Sequence, residues 1–126
     1  MLGVRLLMVS LLFVILGRAF AGDLALKTGE NFSKARQYLV ASGWKPVISH
    51  KMLGDMEKRS WGDARLLFDA GFDEIEYCSG TGREFCFFNY RTGRSCLRVT
   101  TAGEYRKELD SPKILRWKEG ACQAGG

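Results

Sequence analysis

The chain has 126 residues, 19 of them basic and 14 acidic, for a formal charge of +5. That length supports one hydrophobic core and leaves no room for a second domain of ordinary size. The charge favours acidic partners slightly, but a solvated basic surface accounts for it, and it is too mild to point to nucleic acid.

Residues 1–21 read as a signal peptide. Arg5 precedes the apolar run Leu6 to Leu16, which only Ser10 interrupts and Arg18 closes. A membrane-spanning helix needs about 20 apolar residues, so this run is a secretory h-region and not a span. Ala19-Phe20-Ala21 supplies the small side chains that signal peptidase accepts, which places the cut between Ala21 and Gly22. No cysteine follows that site to be acylated. The expected product, Gly22 to Gly126, keeps 17 basic and 14 acidic residues, a charge of +3, as a single domain that is periplasmic or secreted and not membrane-spanning.

Gly22 to Gly29 is a lead-in. Asn31 to Ser42 then carries Phe32, Ala35, Tyr38 and Leu39 at helical spacing, with Asn31 as N-cap and Gly43 as the residue beyond the C-cap. Trp44 sits where an apolar residue folds back on the last turn, and Pro46 forces the exit into an extended path. His50 to Arg59 is charged and unpatterned, a surface loop. Ser60-Trp61-Gly62-Asp63 resembles a capping box, opening a second helix through Ala64, Leu67, Phe68 and Ala70 to Gly71, with Phe72 repeating the Trp44 position. Eight residues separate Ala35 from Gly43 and seven separate Ala64 from Gly71, so the likeness is shared helix grammar and not a duplication.

From Asp73 the period changes to two. Ile75 to Cys78, Glu84 to Tyr90 and Ser95 to Thr101 read as strands, separated by the turns Ser79 to Gly82 and Thr92-Gly93. Ile114 to Trp117 is a candidate fourth strand, and Ala121 to Gly126 is a tail held through Cys122. The expected fold class is α+β: two helices followed by a three- to four-stranded antiparallel meander, with two disulfides.

Those disulfides follow from an even count of four cysteines, Cys78, Cys86, Cys96 and Cys122, behind an export signal. Zinc, thioredoxin-type and haem sites need close Cys-x-x-Cys or Cys/His spacing that the chain lacks, and its one histidine is His50. No metal or cofactor is therefore expected. If Arg91 and Arg94 flank a turn at Thr92-Gly93, Phe88 faces Leu97 and Cys86 faces Val99. Alternation then sends Cys86 to the face of Phe88, Tyr90, Leu97 and Val99, and Cys96 to the opposite face with Phe87 and Arg98, so Cys86 and Cys96 do not pair across this sheet. Two connectivities survive. A short hairpin around Gly80-Thr81-Gly82 favours Cys78 with Cys86, leaving Cys96 for Cys122. Placing Cys78 opposite Cys86 puts Glu76 on the Phe88 face and turns Ile75 and Tyr77 away, a conflict that a bulge near Tyr77 or Cys78 resolves.

Catalytic constellations are not expected. Gly80-Thr81-Gly82 lacks the ending of a phosphate-binding loop; His50 beside Ser49 or Asp55 reads as a solvated side chain; Glu74 and Glu76, on one face by simple alternation, read as a solvated edge and not a glycosidase pair. Binding is the expectation that remains. Arg83, Arg91 and Arg94 fall at hairpin tips, and Phe85, Phe87 and Arg98 share the face turned from the core. Two-layer packing favours a helix over that face, which would make its aromatics ordinary core. Left open, it is an aromatic-arginine patch of the kind enriched at protein interfaces.

The pattern Phe32-x-x-Ala35-Arg36-x-x-Leu39-x-x-x-Gly43-Trp44-x-Pro46, followed by Cys78-Ser79-Gly80-Thr81-Gly82-x-x-x-Cys86-x-Phe88, resembles a group of small exported bacterial proteins of unknown function. The resemblance spans most of the chain beyond residue 21 and implies compartment and fold without activity. The helices-then-meander order is also similar in outline to β-lactamase-inhibitor-like modules, a likeness of fold alone. The expected function is an exported binding module of the cell envelope, an inhibitor or immunity-type protein acting on another protein. The alternative is an envelope-surface protein that binds anionic glycolipid or peptidoglycan.

Overall fold

A computed structural model describes residues 24–48, 63–79, 83–105 and 112–123. The expected signal peptide, the expected loop through His50, the Ser60 end of the expected capping box and the expected turn at Gly80-Thr81-Gly82 lie outside the described residues.

Helix α1 spans Phe32–Ala41. The side chain of Asn31 accepts from the Lys34 backbone N–H at 3.1 Å, satisfying one of the orphan donors of the first turn. At the other end Gly43, with φ +94°, lets the chain double back so that Trp44 N–H reaches the Leu39 carbonyl at 3.0 Å and Gly43 N–H that of Val40 at 3.1 Å. This is a Schellman closure. Helix α2, Ala64–Asp69, ends the same way: Gly71 has φ +96°, Phe72 N–H reaches Leu67 and Gly71 N–H reaches Phe68. The glycine-aromatic repeat is thus a repeat of cap geometry. The start of α2 departs from expectation, because Asp63 stands at the N-cap itself and its side chain caps nothing. Its carboxylate accepts from Tyr105 N–H instead.

Among the described residues five antiparallel strands form one sheet, one more than the largest number expected. These are β1 (Lys45–Pro46), β2 (Ile75–Cys78), β3 (Phe85–Thr92), β4 (Ser95–Ala102) and β5 (Lys113–Ala121). β3, β4 and β5 run side by side, and the short β1 and β2 share the other edge of β3. β1 is the strand that periodicity passes over: it is two residues long, and its proline has no N–H to donate, which an edge position tolerates.

Thr92 faces Ser95, so Gly93-Arg94 forms the hairpin tip and Thr92 belongs to β3. Gly93, with φ +54°, supplies the left-handed conformation that a two-residue hairpin turn requires. Phe88 therefore faces Val99 and Cys86 faces Thr101, two residues beyond the expected partners. A shift of two preserves every face, and the disulfides Cys78–Cys86 and Cys96–Cys122 form as expected, with Cα atoms 4.1 and 4.9 Å apart.

Both helices pack on the face of Phe88, Tyr90, Leu97 and Val99, where burial is essentially complete. The Phe32 ring lies 4.0 Å from that of Phe88, and Phe72 leans on both. Within this core lies one ionic network. Glu74, wholly buried, accepts from Tyr90 Oη at 2.7 Å and from both Arg36 Nε and Nη2, the latter at 3.1 Å. Arg36 also donates to the Gly71 carbonyl at 3.2 Å, so one side chain ties α1 to the cap of α2 and to the sheet. Its hydrogen bond to Glu74 raises the guanidinium pKa further above its ordinary value.

Candidate functional site

The side of the sheet opposite the helices is built by strand alternation and one bulge. Ile75 faces Phe88 while Tyr77 faces Phe87, so two residues of β2 span one step of β3. Ile75 and Cys78 thereby enter the core, and Glu76 and Tyr77 both emerge on the outer face. The expected conflict is resolved by a bulge centred on Glu76. The same bulge separates Glu74 from Glu76. They share no face: Glu74 is locked under α1, whereas Glu76 bonds to outer-face residues.

On that outer face four strands assemble a continuous row. Tyr77 from β2 stacks on Phe87 from β3 at 4.6 Å between centroids. The Arg98 guanidinium from β4 lies over the Phe87 ring at 4.6 Å, a cation–π contact. Arg98 Nη2 also meets Glu76 Oε2 at 3.0 Å, and Asn89 Nδ2 donates to the same oxygen at 3.0 Å. Arg98 keeps 44% of its side-chain surface exposed, against 16% for Glu76, so the cation is presented to solvent while the carboxylate beneath positions it. Strand β5 continues the face, with Arg116 across from Thr100 and Lys118 across from Arg98.

The residues expected to bind divide into groups. Phe85, Phe87 and Arg98 do share the outer face, and neither described helix covers it. The helix-covered alternative is set aside for those two helices, because their buried side chains pack against Phe88 on the other side. Arg94 lies in the β3–β4 turn itself, whereas Arg91 stands on β3 one residue before its end, where its Nε donates to the Gly93 carbonyl at 3.1 Å. Arg83 precedes the opposite end of β3. At about 3.4 Å per residue, the eight residues of β3 hold it more than 20 Å from the other two. The three arginines therefore do not form one patch. Sequence reasoning did not single out Glu76, which the bulge hid, nor Tyr77 and Asn89, which alternation already turned toward this face, nor Arg116 and Lys118, whose spacing of two in a predicted strand was the available signal.

A second polar cluster joins α2 to the sheet. Asp63 N–H donates to Glu84 Oε1 at 2.6 Å, and burial raises the Glu84 carboxyl pKa above its ordinary value while that hydrogen bond opposes the rise. Each carboxylate accepts a backbone N–H, so the pair serves as an anchor between segments. Among the described residues no group of histidine, cysteine, aspartate and glutamate side chains could hold a metal ion. No described helix is long and apolar enough to cross a membrane.

No known family model, curated protein or solved structure matches the chain.

Proposed function

We propose that this protein is an exported binding module, of the inhibitor or immunity kind, that docks onto another envelope or secreted protein through the outer face of its sheet. The observation that carries the reading is the row Tyr77–Phe87–Arg98. Tyrosine, phenylalanine and arginine are the side chains enriched at protein interfaces, and here they are assembled before any partner arrives. Pre-assembly lowers the cost of ordering side chains on association. Two disulfides make the same residues part of a rigid sheet and suit an oxidising compartment.

Capture from an envelope fraction tests it. Arg98→Ser removes the exposed cation and leaves Glu76 its bond from Asn89, and Tyr77→Ser removes one end of the row. Each is expected to weaken capture of the same partner by about tenfold, the loss of one central interface contact. Arg65→Glu on α2, away from this face, is expected to leave it unchanged. Equal capture by all three, with folding verified by circular dichroism, sinks the assignment.

A further inference from the structure

We infer that the surface this face receives is a carboxylate-rich protein surface, an inference that rests on the docking reading above and specifies its chemistry. Register and alternation place Lys45, Arg91, Arg98, Lys113, Arg116 and Lys118 on the outer face. Among the described residues the carboxylate bonded into that face is Glu76, already held by Arg98 and Asn89. Four other acidic groups are bonded away from it: Glu74 beneath α1, Asp69 with Arg65 on α2, Glu84 with the Asp63 backbone and Asp63 with that of Tyr105. The outer face is thus predominantly cationic by register.

One detail separates this from a basic surface that merely keeps the protein soluble. Arg98 and Lys118 stand directly opposite each other on adjacent strands, and Arg116 lies on the same face two residues from Lys118. Like charges placed opposite in a sheet destabilise it. Glu76 offsets part of that cost at Arg98, and a partner's carboxylates would offset the rest beside the aromatic row. Arginine's planar fork accepts a carboxylate through two parallel hydrogen bonds, and three of these six cations are arginines.

Phosphate-bearing lipid offers the same charge, and the apolar content of the face decides against it. Among the exposed large hydrophobic residues, Tyr38, Val40 and Leu66 belong to the helices on the other side, Ile48 lies two residues beyond the edge strand β1, and Tyr77 is already stacked on Phe87. Little remains on this face to enter a bilayer interface.

The test uses two probes and the protein from residue 22 onward. Poly-L-glutamate, titrated while amide resonances are followed, is expected to perturb β4 and β5 and leave α1 unmoved, with affinity falling between about 20 and about 200 mM salt as exposed charges are screened. The double variant Arg116→Glu/Lys118→Glu is expected to lose about tenfold or more in that affinity, while Arg65→Glu keeps it. Vesicles of phosphatidylglycerol in phosphatidylcholine are expected to leave the protein in the supernatant. Absence of polyglutamate binding, its mapping to the helices, or tighter binding to the vesicles overturns the inference. The two readings fail separately. Loss of partner capture in Arg98→Ser without polyglutamate binding sinks only the acidic partner; polyglutamate binding with capture indifferent to every outer-face variant sinks the docking assignment.

Discussion

The hydroxyl of Tyr90 donates to a carboxylate that Arg36 grips from the other side, and all of this happens beneath a helix. Such a network is costly to bury and more costly to break, because the group left behind has no water to turn to. Tyr90→Phe removes one bond to a charged acceptor while Arg36 continues to neutralise Glu74, so the expected loss is about 2 kcal/mol at neutral pH. The same residue sets a pH limit. Burial first, and the negative charge of Glu74 second, push the Tyr90 phenol well above its ordinary pKa of 10.0. A group whose native pKa is raised contributes fully below its unfolded value, and the contribution is lost as pH climbs past that value. Urea titrations at pH 9 and pH 11 should therefore show stability falling across the interval, and falling less steeply in Tyr90→Phe. Identical slopes in the two proteins would mean that Tyr90 is not protected as the network requires.

At the scale of elements, the glycine closures that end the two described helices were the most legible part of the chain. Their cause is local: a glycine takes a positive φ and the next aromatic residue drops onto the final turn, which asks nothing of the rest of the fold. Gly43 tests this in isolation. An added Cβ there meets no atom within 4 Å, so Gly43→Ala carries backbone strain alone, expected at about 1–2 kcal/mol. Gly120→Ala, equally open in space but at an ordinary φ, is expected within about 0.5 kcal/mol of the parent in the same denaturation series. Strand faces were legible too, since alternation survives a slip of two residues. What escaped was whatever depends on counting across strands. Periodicity offers no means of telling that Gly93-Arg94 forms the tip or that Lys45-Pro46 pairs with Arg91 and Tyr90, and the conflict of faces that called for a bulge near Tyr77 or Cys78 did not fix it at Glu76. The bulge matters most, because it sends Glu74 and Glu76 to opposite faces and turns an apparent carboxylate pair into a core anchor and a support for Arg98. The open outer face was weighed against a covered one, and sequence alone could not decide, since the side on which the helices pack is a tertiary outcome.

For the molecule as a whole, the question is how a chain of this size holds a sheet whose outer side neither described helix covers. Single domains are stable by only about 5–15 kcal/mol, and a small core lies toward the lower end. The two disulfides act on different parts of that margin. Cys96–Cys122 joins the start of β4 to the residue after β5 across 26 positions, and closing that loop contributes roughly 3 kcal/mol by restricting the unfolded chain. Cys78–Cys86 spans only 8 positions, but both sulfurs lie in the core, so replacing them also removes packed volume. Cys96→Ser/Cys122→Ser is accordingly expected to lose about 3 kcal/mol and to loosen the end of the outer face nearest Arg91 and Gly120. Cys78→Ala/Cys86→Ala is expected to lose at least as much despite its shorter loop. Equilibrium unfolding of both variants beside the parent, with thiol titration confirming that the remaining bridge is intact, measures the two terms. If either pair can be removed for less than about 1 kcal/mol, the energetic reason for matching this fold to an oxidising compartment disappears with it. Losses of the expected size would instead mean that the compartment is a condition of the fold, and that the outer face stays assembled only where both bridges can form.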